Sequence, residues 1–546
     1  MKLLQIILLT ILATNAYTQI KHNVYMLSLS DKNNSPYSVL HPQDFLSVRA
    51  IERRYVQNIS IDERDLPVNP QYIKQIEETG VKVIHRSKWL NAVSVHVTDS
   101  TLIEKLKELP FVLDITALGV HRTPKEAKLQ EHFPYEKYKE SDNYYGSTLN
   151  QIAMLSGHVL QSMGHDGSGK RVAIFDGGFS NVYRMPAFDS LYANNSILGT
   201  RDFVEGDEFV YEASSHGTQV LSCMAANLPY LVMGTAPGAS YYLFKTEDVG
   251  SEFKIEEFNW VAAVEYADSL GVDVINSSLG YTSFNDESMN YKYEDLNGKT
   301  GICSRGADIA VEKGMLVVNS AGNEGDGSWK YIGTPADGIN VISVGAVKSN
   351  GSRASFSSYG PTPDGRIKPN VSAQGSRAVV AGMKGYAVTT TDGTSFSSPI
   401  MAGMVTTLWS AFPDKTNWEI KDAIEASGNQ SMQPDSSLGF GIPDFFRAYL
   451  YLMEAGMAIT LKGDMYSSAT MIDNQYKIMV ESETAEIINY SLFNKVGQIV
   501  YSSSLIAGPF DVKSLEIPML KDLEPDFYYI KIQVGANTYF SQIVKG

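Results

Sequence analysis

Five short apolar runs between residues 146 and 453 most restrict what this chain can fold into. Each is nearly continuous, as in a strand buried on both faces of a parallel sheet. The runs are residues 171–175, 241–244, 272–275, 315–318 and 341–344. Helix-like segments separate them. The longest, residues 252–270, has an apolar stripe whose members we expect to face inward: Ile255, Phe258, Ala262 and Tyr266. This alternation predicts a doubly wound α/β domain with a mostly parallel sheet, whose functional site lies beyond the carboxyl ends of the strands.

The residues on either side predict different folds. Residues 19–122 show strand and helix patterns in the order β-α-(α)-β-β-α-β, which indicates a ferredoxin-like α+β domain. Residues 123–145, rich in Lys, Glu and Tyr, resemble an exposed linker. In residues 454–546, strand-like runs recur between turn residues, which predicts a small β-sandwich.

The amino terminus predicts export. Lys2 precedes an apolar run over residues 3–13, and small residues follow, so we expect residues 1–18 to be a signal peptide cut after Ala16 or Thr18. The run is too short to span a membrane, and no later stretch reaches eighteen apolar residues. A formal net charge of −16 argues against nucleic acid as a partner.

Composition excludes one further class of protein. The chain has only two cysteines, Cys223 and Cys303, so it is not a disulfide-stapled scaffold. Both lie in segments that read as core. We expect free thiols there, with a bridge between them left open.

Four polar residues stand at predicted strand ends or helix starts of the α/β domain. Asp176 ends a strand, His216 opens a helix, Asn323 follows another strand, and Ser395 follows a Gly-Thr turn. Taken singly, they read as an Asx turn, a helix-capping histidine, a turn asparagine and an N-cap serine. Pro399 falls early in the helix after Ser395, where we expect a missing N–H to cost least.

Together and in this order, the four resemble the subtilisin-like (subtilase) serine endopeptidases. The motifs that carry the resemblance are Asp176-Gly177-Gly178, His216-Gly217-Thr218, Ser278-Leu279-Gly280, Ala321-Gly322-Asn323 and Gly393-Thr394-Ser395. The resemblance implies a catalytic triad of Asp176, His216 and Ser395, with Asn323 as an oxyanion donor. The substrate-binding residues that it implies are Ser278, Leu279, Gly280, Ala321, Gly322 and, at the floor of the S1 pocket, Gly333.

The resemblance also assigns partners. Polypeptides are the expected substrates, and the N-terminal domain resembles a subtilase propeptide that inhibits its own peptidase domain. The C-terminal domain is similar to the sorting domains of type IX secretion in Bacteroidetes, through residues 490–494, 497–500, 529–532 and 543–546. No cofactor is expected. We recognise no calcium-binding segment of the family, so a structural calcium ion stays open.

The sequence departs from the family pattern in places. Gln219 and Leu221-Ser222 follow the histidine in place of the usual His and Ala-Gly, and Phe396-Ser397-Ser398 follows the serine in place of Met-Ala-x. None of these changes removes a catalytic atom. Two alternatives are left open: a non-catalytic binding or adhesion protein on the same scaffold, and an esterase with the same triad.

Overall fold

The computed structural model describes residues 22–120, 141–382, 388–456, 475–479, 486–494, 498–507, 512–516, 523, 527–534 and 537–544. The predicted signal peptide and nearly all of the predicted linker lie outside these residues. Within them, no helix combines the length and the apolar character that a membrane crossing requires. Both Cys223 and Cys303 are buried, and neither forms a disulfide.

The N-terminal unit is an α+β domain, as predicted. Its elements are β1 (Val24–Leu29), α1 (Val48–Val56), α2 (Pro70–Glu78), β2 (Lys82–Ser87), β3 (Ala92–His96), α3 (Thr101–Lys107) and β4 (Val112–Gly119). The four strands form an antiparallel sheet in the order β2-β3-β1-β4. That order is the one expected for a split βαβ, ferredoxin-like arrangement.

The middle unit contains most of the chain's regular structure. Its strands are β5 (Arg171–Asp176), β6 (Ile197–Asp202), β7 (Asn227–Leu228), β8 (Val232–Met233), β9 (Ser240–Lys245), β10 (Val274–Ser277), β11 (Leu316–Ser320), β12 (Ile342–Val347), β13 (Val371–Gln374), β14 (Ala378–Ala381) and β15 (Val388–Thr391). Its helices are α4 (Leu149–Ala153), α5 (Gly157–Ser162), α6 (Asp189–Ala193), α7 (His216–Ala225), α8 (Lys254–Leu270), α9 (Ile302–Glu312), α10 (Thr394–Ala411), α11 (Asn417–Ala426) and α12 (Phe445–Gly456).

Seven of these strands form one parallel sheet in the order β13-β12-β11-β10-β5-β9-β6. The five predicted strands are β5, β9, β10, β11 and β12, so the doubly wound fold is confirmed. The prediction missed the two edge strands. β6 is only partly buried and lacks an apolar run, and β13 is a four-residue strand with two polar residues.

Helices cover both faces of this sheet. Val172 and Ile174 of β5 pack in one core with residues of α7 and α10. Ala173 and Phe175, which alternate with them, pack in a second core with residues of α8 and α9. Because successive side chains of a strand point to opposite faces, a near-continuous apolar run serves both cores.

Helix α8 differs from its prediction. Phe258 and Ala262 face inward as expected, but Tyr266 is 36% exposed. The helix is instead buried on almost every side, including Glu265 and Asp268, because the N-terminal sheet packs on the face that is turned away from the parallel sheet. An amphipathic stripe could not reveal this second contact.

The C-terminal unit is all β in the described residues. Its strands are β16 (Gln475–Met479), β17 (Glu486–Asn494), β18 (Ile499–Ala507), β19 (Val512–Glu516), β20 (Phe527–Val534) and β21 (Asn537–Val544). Four of them form an antiparallel sheet in the order β18-β17-β20-β21, and β16 pairs with β19. The predicted strands are therefore present, while their packing as a sandwich stays a prediction. Tyr529 contacts Phe446 of α12 edge-on, with 5.0 Å between ring centroids.

Candidate active site

The four polar residues singled out in the sequence lie where the parallel sheet ends. Asp176 is the last residue of β5, and His216 is the first of α7. Asn323 follows β11 by three residues, and Ser395 is the second residue of α10. Strand carboxyl ends and helix amino termini therefore meet at one edge of the sheet, as expected for an α/β fold.

Asp176 and His216 form a direct hydrogen bond. His216 Nδ1 lies 2.8 Å from Asp176 Oδ2, and the Gly177 backbone N–H donates to Asp176 Oδ1 over 2.8 Å. The carboxylate is 1% exposed, whereas 36% of the imidazole surface is exposed. Burial lowers the pKa of His216, but the Asp176 charge and hydrogen bond outweigh it, so this pKa is raised above its usual value. The imidazole is therefore oriented through Nδ1 and leaves Nε2 available for proton transfer.

Glycine at position 217 is required by this contact. A Cβ built on Gly217 would lie 2.5 Å from Gly178 O and 2.9 Å from the Asp176 Cβ, both closer than real Cβ contacts. The turn after β5 and the first turn of α7 can approach each other only because no side chain stands between them. The glycines beside Asp176 and His216 in the sequence motifs are therefore part of the site's geometry.

Ser395 stands in the first turn of α10. Gly393 before it has a φ of +149°, a backbone conformation that other residues rarely adopt, and it acts as the N-cap. The Ser395 hydroxyl contacts Ser278 O at 3.5 Å, which is the outer limit for a hydrogen bond and constrains it only weakly. The buried ring of Phe396 packs against His216, with 5.7 Å between centroids. Phe396 thereby brings the serine-bearing turn against the histidine.

Asn323 is held by its side-chain oxygen. The Thr394 backbone N–H and hydroxyl both donate to Asn323 Oδ1, over 2.8 Å and 3.0 Å, and the Gly322 N–H donates to Thr394 Oγ1 over 3.2 Å. These bonds fix which end of the amide is the acceptor, so the Nδ2 group faces away from Thr394. Sequence reasoning missed this function of Thr394. Its position in the Gly-Thr-Ser motif was the available signal.

The residues expected to bind substrate lie along two neighbouring segments. Beyond β10, Tyr281 and Thr334 exchange backbone hydrogen bonds of 2.9 Å and 3.2 Å. This ladder places Ser278, Leu279 and Gly280 on one side and Gly333 on the other. Gly280 is exposed, Leu279 is partly buried, and Ser278, Ala321 and Gly333 are buried. A Cβ on Gly333 would come within 3.2 Å of Thr282 Cγ2, so the backbone packs closely there.

One group of carboxylates among the described residues has the spacing of metal ligands. Oxygens of Glu247, Glu252 and Glu256 lie within 4.8 Å of one another. Two of the three already accept protein hydrogen bonds: Glu247 from the Tyr281 hydroxyl, and Glu256 from the Phe253 and Asp248 N–H groups. Burial, reinforced by the neighbouring carboxylates, raises the pKa of all three. Protons can therefore relieve their repulsion.

Comparison with known proteins gives two family matches. Residues 167–441 match the subtilase family, and residues 24–132 match the peptidase S8 propeptide domain of Bacteroidota. Subtilisin NAT from Bacillus subtilis subsp. natto is 32% identical over 359 residues, which cover 64% of this chain and 79% of that protein. A subtilisin from Bacillus pumilus is 33% identical over 50% of this chain and 90% of its own length. Alkaline elastase YaB from Bacillus sp. (strain YaB) is 29% identical over 59% of this chain and 76% of its own length.

Proposed function

The chain belongs to the subtilase family, and on that premise we propose that Ser395, His216 and Asp176 carry its reaction. The protein is a serine endopeptidase made with a propeptide domain, that is, as a zymogen. The observation that carries the residue assignment is the 2.8 Å hydrogen bond between His216 Nδ1 and Asp176 Oδ2 beside the helix that begins with Thr394 and Ser395.

His216 acts first as a base and then as an acid. Because Asp176 occupies Nδ1, it is Nε2 that takes the proton from Ser395 Oγ as that oxygen attacks the carbonyl carbon of a peptide bond. The tetrahedral intermediate collapses to an acyl-enzyme when Nε2 gives this proton to the leaving amine. Water then attacks the acyl group by the same route in reverse. Asp176 stabilises the imidazolium throughout.

The oxyanion is stabilised by two N–H donors. Asn323 Nδ2 and the Ser395 backbone N–H at the start of α10 would donate to the carbonyl oxygen as it becomes negative. The bonds from Thr394 to Asn323 Oδ1 support this assignment, since they leave Nδ2 as the free end of the amide. Removing one such donor lowers kcat roughly 10²–10³-fold, a magnitude measured on subtilisin.

We propose that the substrate binds as an extended strand. Residues 278–280 would pair with it through backbone hydrogen bonds. The backbone ladder between Tyr281 and Thr334 supports this, because it holds the chain extended next to Gly280. Gly333, whose backbone packs closely against Thr282, is proposed as the floor of the S1 pocket.

A fluorophosphonate probe tests the proposal. We expect the processed protein to be labelled at Ser395 and to digest casein, and Ser395→Ala to abolish labelling and lower kcat roughly 10⁶-fold, the effect measured on subtilisin. Label that survives Ser395→Ala would contradict the assignment. Unlabelled protein would favour a binding protein, and ester turnover without casein digestion would favour an esterase.

The N-terminal unit is proposed to inhibit the peptidase until the chain is cut between Arg122 and Tyr145. The contacts from Ser141 onward support a cut before Ser141: the Ser141 and Ser147 N–H groups donate to Tyr230 O and Leu231 O of the middle unit. Amino-terminal sequencing of the mature protein checks this, and a mature form that still begins near Gln19 would contradict it.

We further propose that the protein is exported through its signal peptide and that residues 454–546 direct type IX secretion. The antiparallel strands of this all-β unit, which follows the peptidase unit, support a separate sorting function for it. Deleting these residues is expected to leave the enzyme inside the cell envelope. Immunoblotting should then find the truncated protein in the cells and not in the culture medium. Undiminished release of the truncated protein would refute the sorting role.

A further inference from the structure

Ser395 lies in a helix that lacks one of its own hydrogen bonds. Helix α10 spans Thr394–Ala411 and contains Pro399. In an α-helix the carbonyl of residue i accepts from the N–H of residue i+4, and proline has no N–H. The Ser395 carbonyl therefore has no donor at position 399. The expectation that Pro399 falls where a missing N–H costs least is wrong, because only the first four N–H groups of a helix are free and Pro399 is the sixth residue of α10.

A side chain from the neighbouring strand supplies the missing donor. The Ser278 hydroxyl, just beyond β10, donates to Ser395 O over 2.9 Å. Asn276 Nδ2 donates to Ser278 Oγ over 3.2 Å, and Ser398 Oγ donates to Asn276 Oδ1 over 3.0 Å. The bonds thus run from α10 to β10 and back to α10. Asn276 and Ser398 are fully buried, and Ser278 is 6% exposed.

The direction of these bonds is fixed by the Ser395 carbonyl, which can only accept a hydrogen bond. Ser278 has a single hydroxyl proton. Because that proton goes to Ser395 O, the Ser278 oxygen can only accept a hydrogen bond from Asn276. With the opposite amide orientation, Asn276 Oδ1 would compete for that proton. With Nδ2 turned to Ser278, Asn276 Oδ1 faces the Ser398 hydroxyl, which donates to it and holds the amide in place.

We propose that Asn276 is a positioning residue for the nucleophile. This proposal rests on the proposed function, in which Ser395 attacks the substrate. Asn276 holds the Ser278 hydroxyl against the Ser395 carbonyl, and the backbone of the nucleophile is thereby fixed to the end of the sheet that carries Ser278-Leu279-Gly280. The serine and the strand that would hold the substrate then keep one relative position. A displacement of the nucleophile by about 1 Å costs roughly 10²-fold in rate.

The central variant is Asn276→Leu, which has nearly the same volume and cannot hydrogen-bond. We expect kcat on a peptide substrate, and the rate of fluorophosphonate labelling, to fall tenfold to roughly a hundredfold. KM should stay within about twofold, because Asn276 is buried beneath the substrate strand and does not contact the substrate.

Asn417→Leu is the matched control. Asn417 is equally buried, and its Nδ2 donates to Val311 O and Met315 O over 2.7 Å and 2.9 Å, outside the active site. Both variants lose a buried amide, so both should lower the melting temperature. Only Asn276→Leu should lower kcat. An equal loss of kcat in both variants would reduce Asn276 to a structural residue and overturn the proposal.

Two smaller substitutions keep the test decisive if Asn276→Leu fails to fold. Ser278→Ala removes the donor to Ser395 O, and Ser398→Ala removes the donor that orients Asn276; each should lower kcat several-fold with KM little changed. The double variant Ser278→Ala/Ser398→Ala should be no slower than the slower single variant, because both break one chain of bonds. Unchanged kcat in both single variants would overturn the proposal while Ser395 still takes the label. A wild-type protein without label at Ser395 would instead defeat the proposed function itself.

Discussion

The ionisation of one imidazole sets the pH range of the proposed reaction. Burial lowers the pKa of His216, but the charge and hydrogen bond of Asp176 raise it by more. This pKa therefore lies above its usual value of about 6.5. Only neutral His216 can accept the serine proton. Activity should therefore be lost as pH falls through this raised pKa, and the acid limb of kcat/KM should lie above that of an ordinary histidine.

Asp176→Asn tests this relation. The amide cannot stabilise the imidazolium, so kcat should fall roughly 10⁴-fold. The remaining influence on His216 is burial, which lowers its pKa, so the acid limb of the residual activity should move to lower pH. The pH profile of kcat/KM measures both effects. An acid limb that stays in place would mean that another group controls it.

Thr394 determines the orientation of the proposed oxyanion donor. Thr394→Val removes the hydroxyl that donates to Asn323 Oδ1 over 3.0 Å and leaves only the backbone N–H to hold the amide. We expect kcat to fall about tenfold with little change in KM, because the amide would be less well aligned with the oxyanion.

Thr407→Val is the control for this substitution. Thr407 is equally buried in the same helix, and its hydroxyl donates to Thr235 O rather than to a site residue. Steady-state kinetics on both variants should show the loss of kcat only for Thr394→Val. A similar loss in the two variants would attribute it to the helix rather than to Asn323.

At the level of elements, the site depends on how closely β5 and α7 approach each other. In Gly217→Ala the new methyl group would overlap Gly178 O at 2.5 Å and the Asp176 Cβ at 2.9 Å. Although alanine favours helix, α7 would have to move away from β5 and would take His216 with it. We expect activity to fall at least about a hundredfold.

The comparison variant is Gly199→Ala in β6. Its added Cβ would meet only the Tyr242 ring at 3.4 Å, an ordinary contact distance. Labelling rates and melting temperatures of the two variants separate the local clash from a general loss of stability. Full activity in Gly217→Ala would show that the Asp176–His216 pair does not need this close approach.

At the level of the whole molecule, a buried set of charges joins the N-terminal unit to the peptidase unit. Asp268 of α8 accepts from Arg53, Arg54 and Lys88 of the N-terminal unit. Burial raises the pKa of Asp268, but Lys88 and the two arginines outweigh it and hold this pKa well below its usual range. In the opposite direction, Lys313 reaches Asp65 over 2.7 Å. Arg54 also pairs with Asp65 of its own unit over 2.7 Å, so the buried charges of the two units form one network.

Asp268→Asn should weaken the hold of the N-terminal unit. It leaves Arg53 and Lys88 facing a neutral amide, while Arg54 keeps its pair with Asp65. Breaking a buried pair in this way costs roughly 3–5 kcal/mol. Once the chain has been cut, the inhibitory unit should leave sooner. The interval between chain cleavage, followed on gels, and the appearance of peptidase activity should therefore shorten.

Glu312→Gln is the matched control for this interface. Glu312 pairs with Arg64 across the same two units, but both side chains are 45% exposed. Exposed pairs contribute about 0–1 kcal/mol, so the interval should hardly change. An unchanged interval in Asp268→Asn as well would show that apolar contacts alone hold the units together.

The sequence alone determined the fold class and the outline of the site. Five apolar runs became central strands because a strand buried on both faces needs apolar side chains throughout, a local property. The positions of Asp176, His216, Asn323 and Ser395 at element ends were local as well, marked by glycines. A partly polar edge strand such as β6 has no comparable signal and was missed.

Which of these ends touch, and what supports them, depends on tertiary packing. Thr394 and Asn323 are 71 residues apart, and Ser278 and Ser395 are 117 apart, so their hydrogen bonds depend on how whole elements pack. Tyr266 was wrongly expected to be buried: its ring contacts Phe203 and Phe244 but stays 36% exposed, and no periodicity within α8 encodes these partners. Local residue patterns determine which side chains an element buries. Packing between distant elements determines which surface those side chains are buried against.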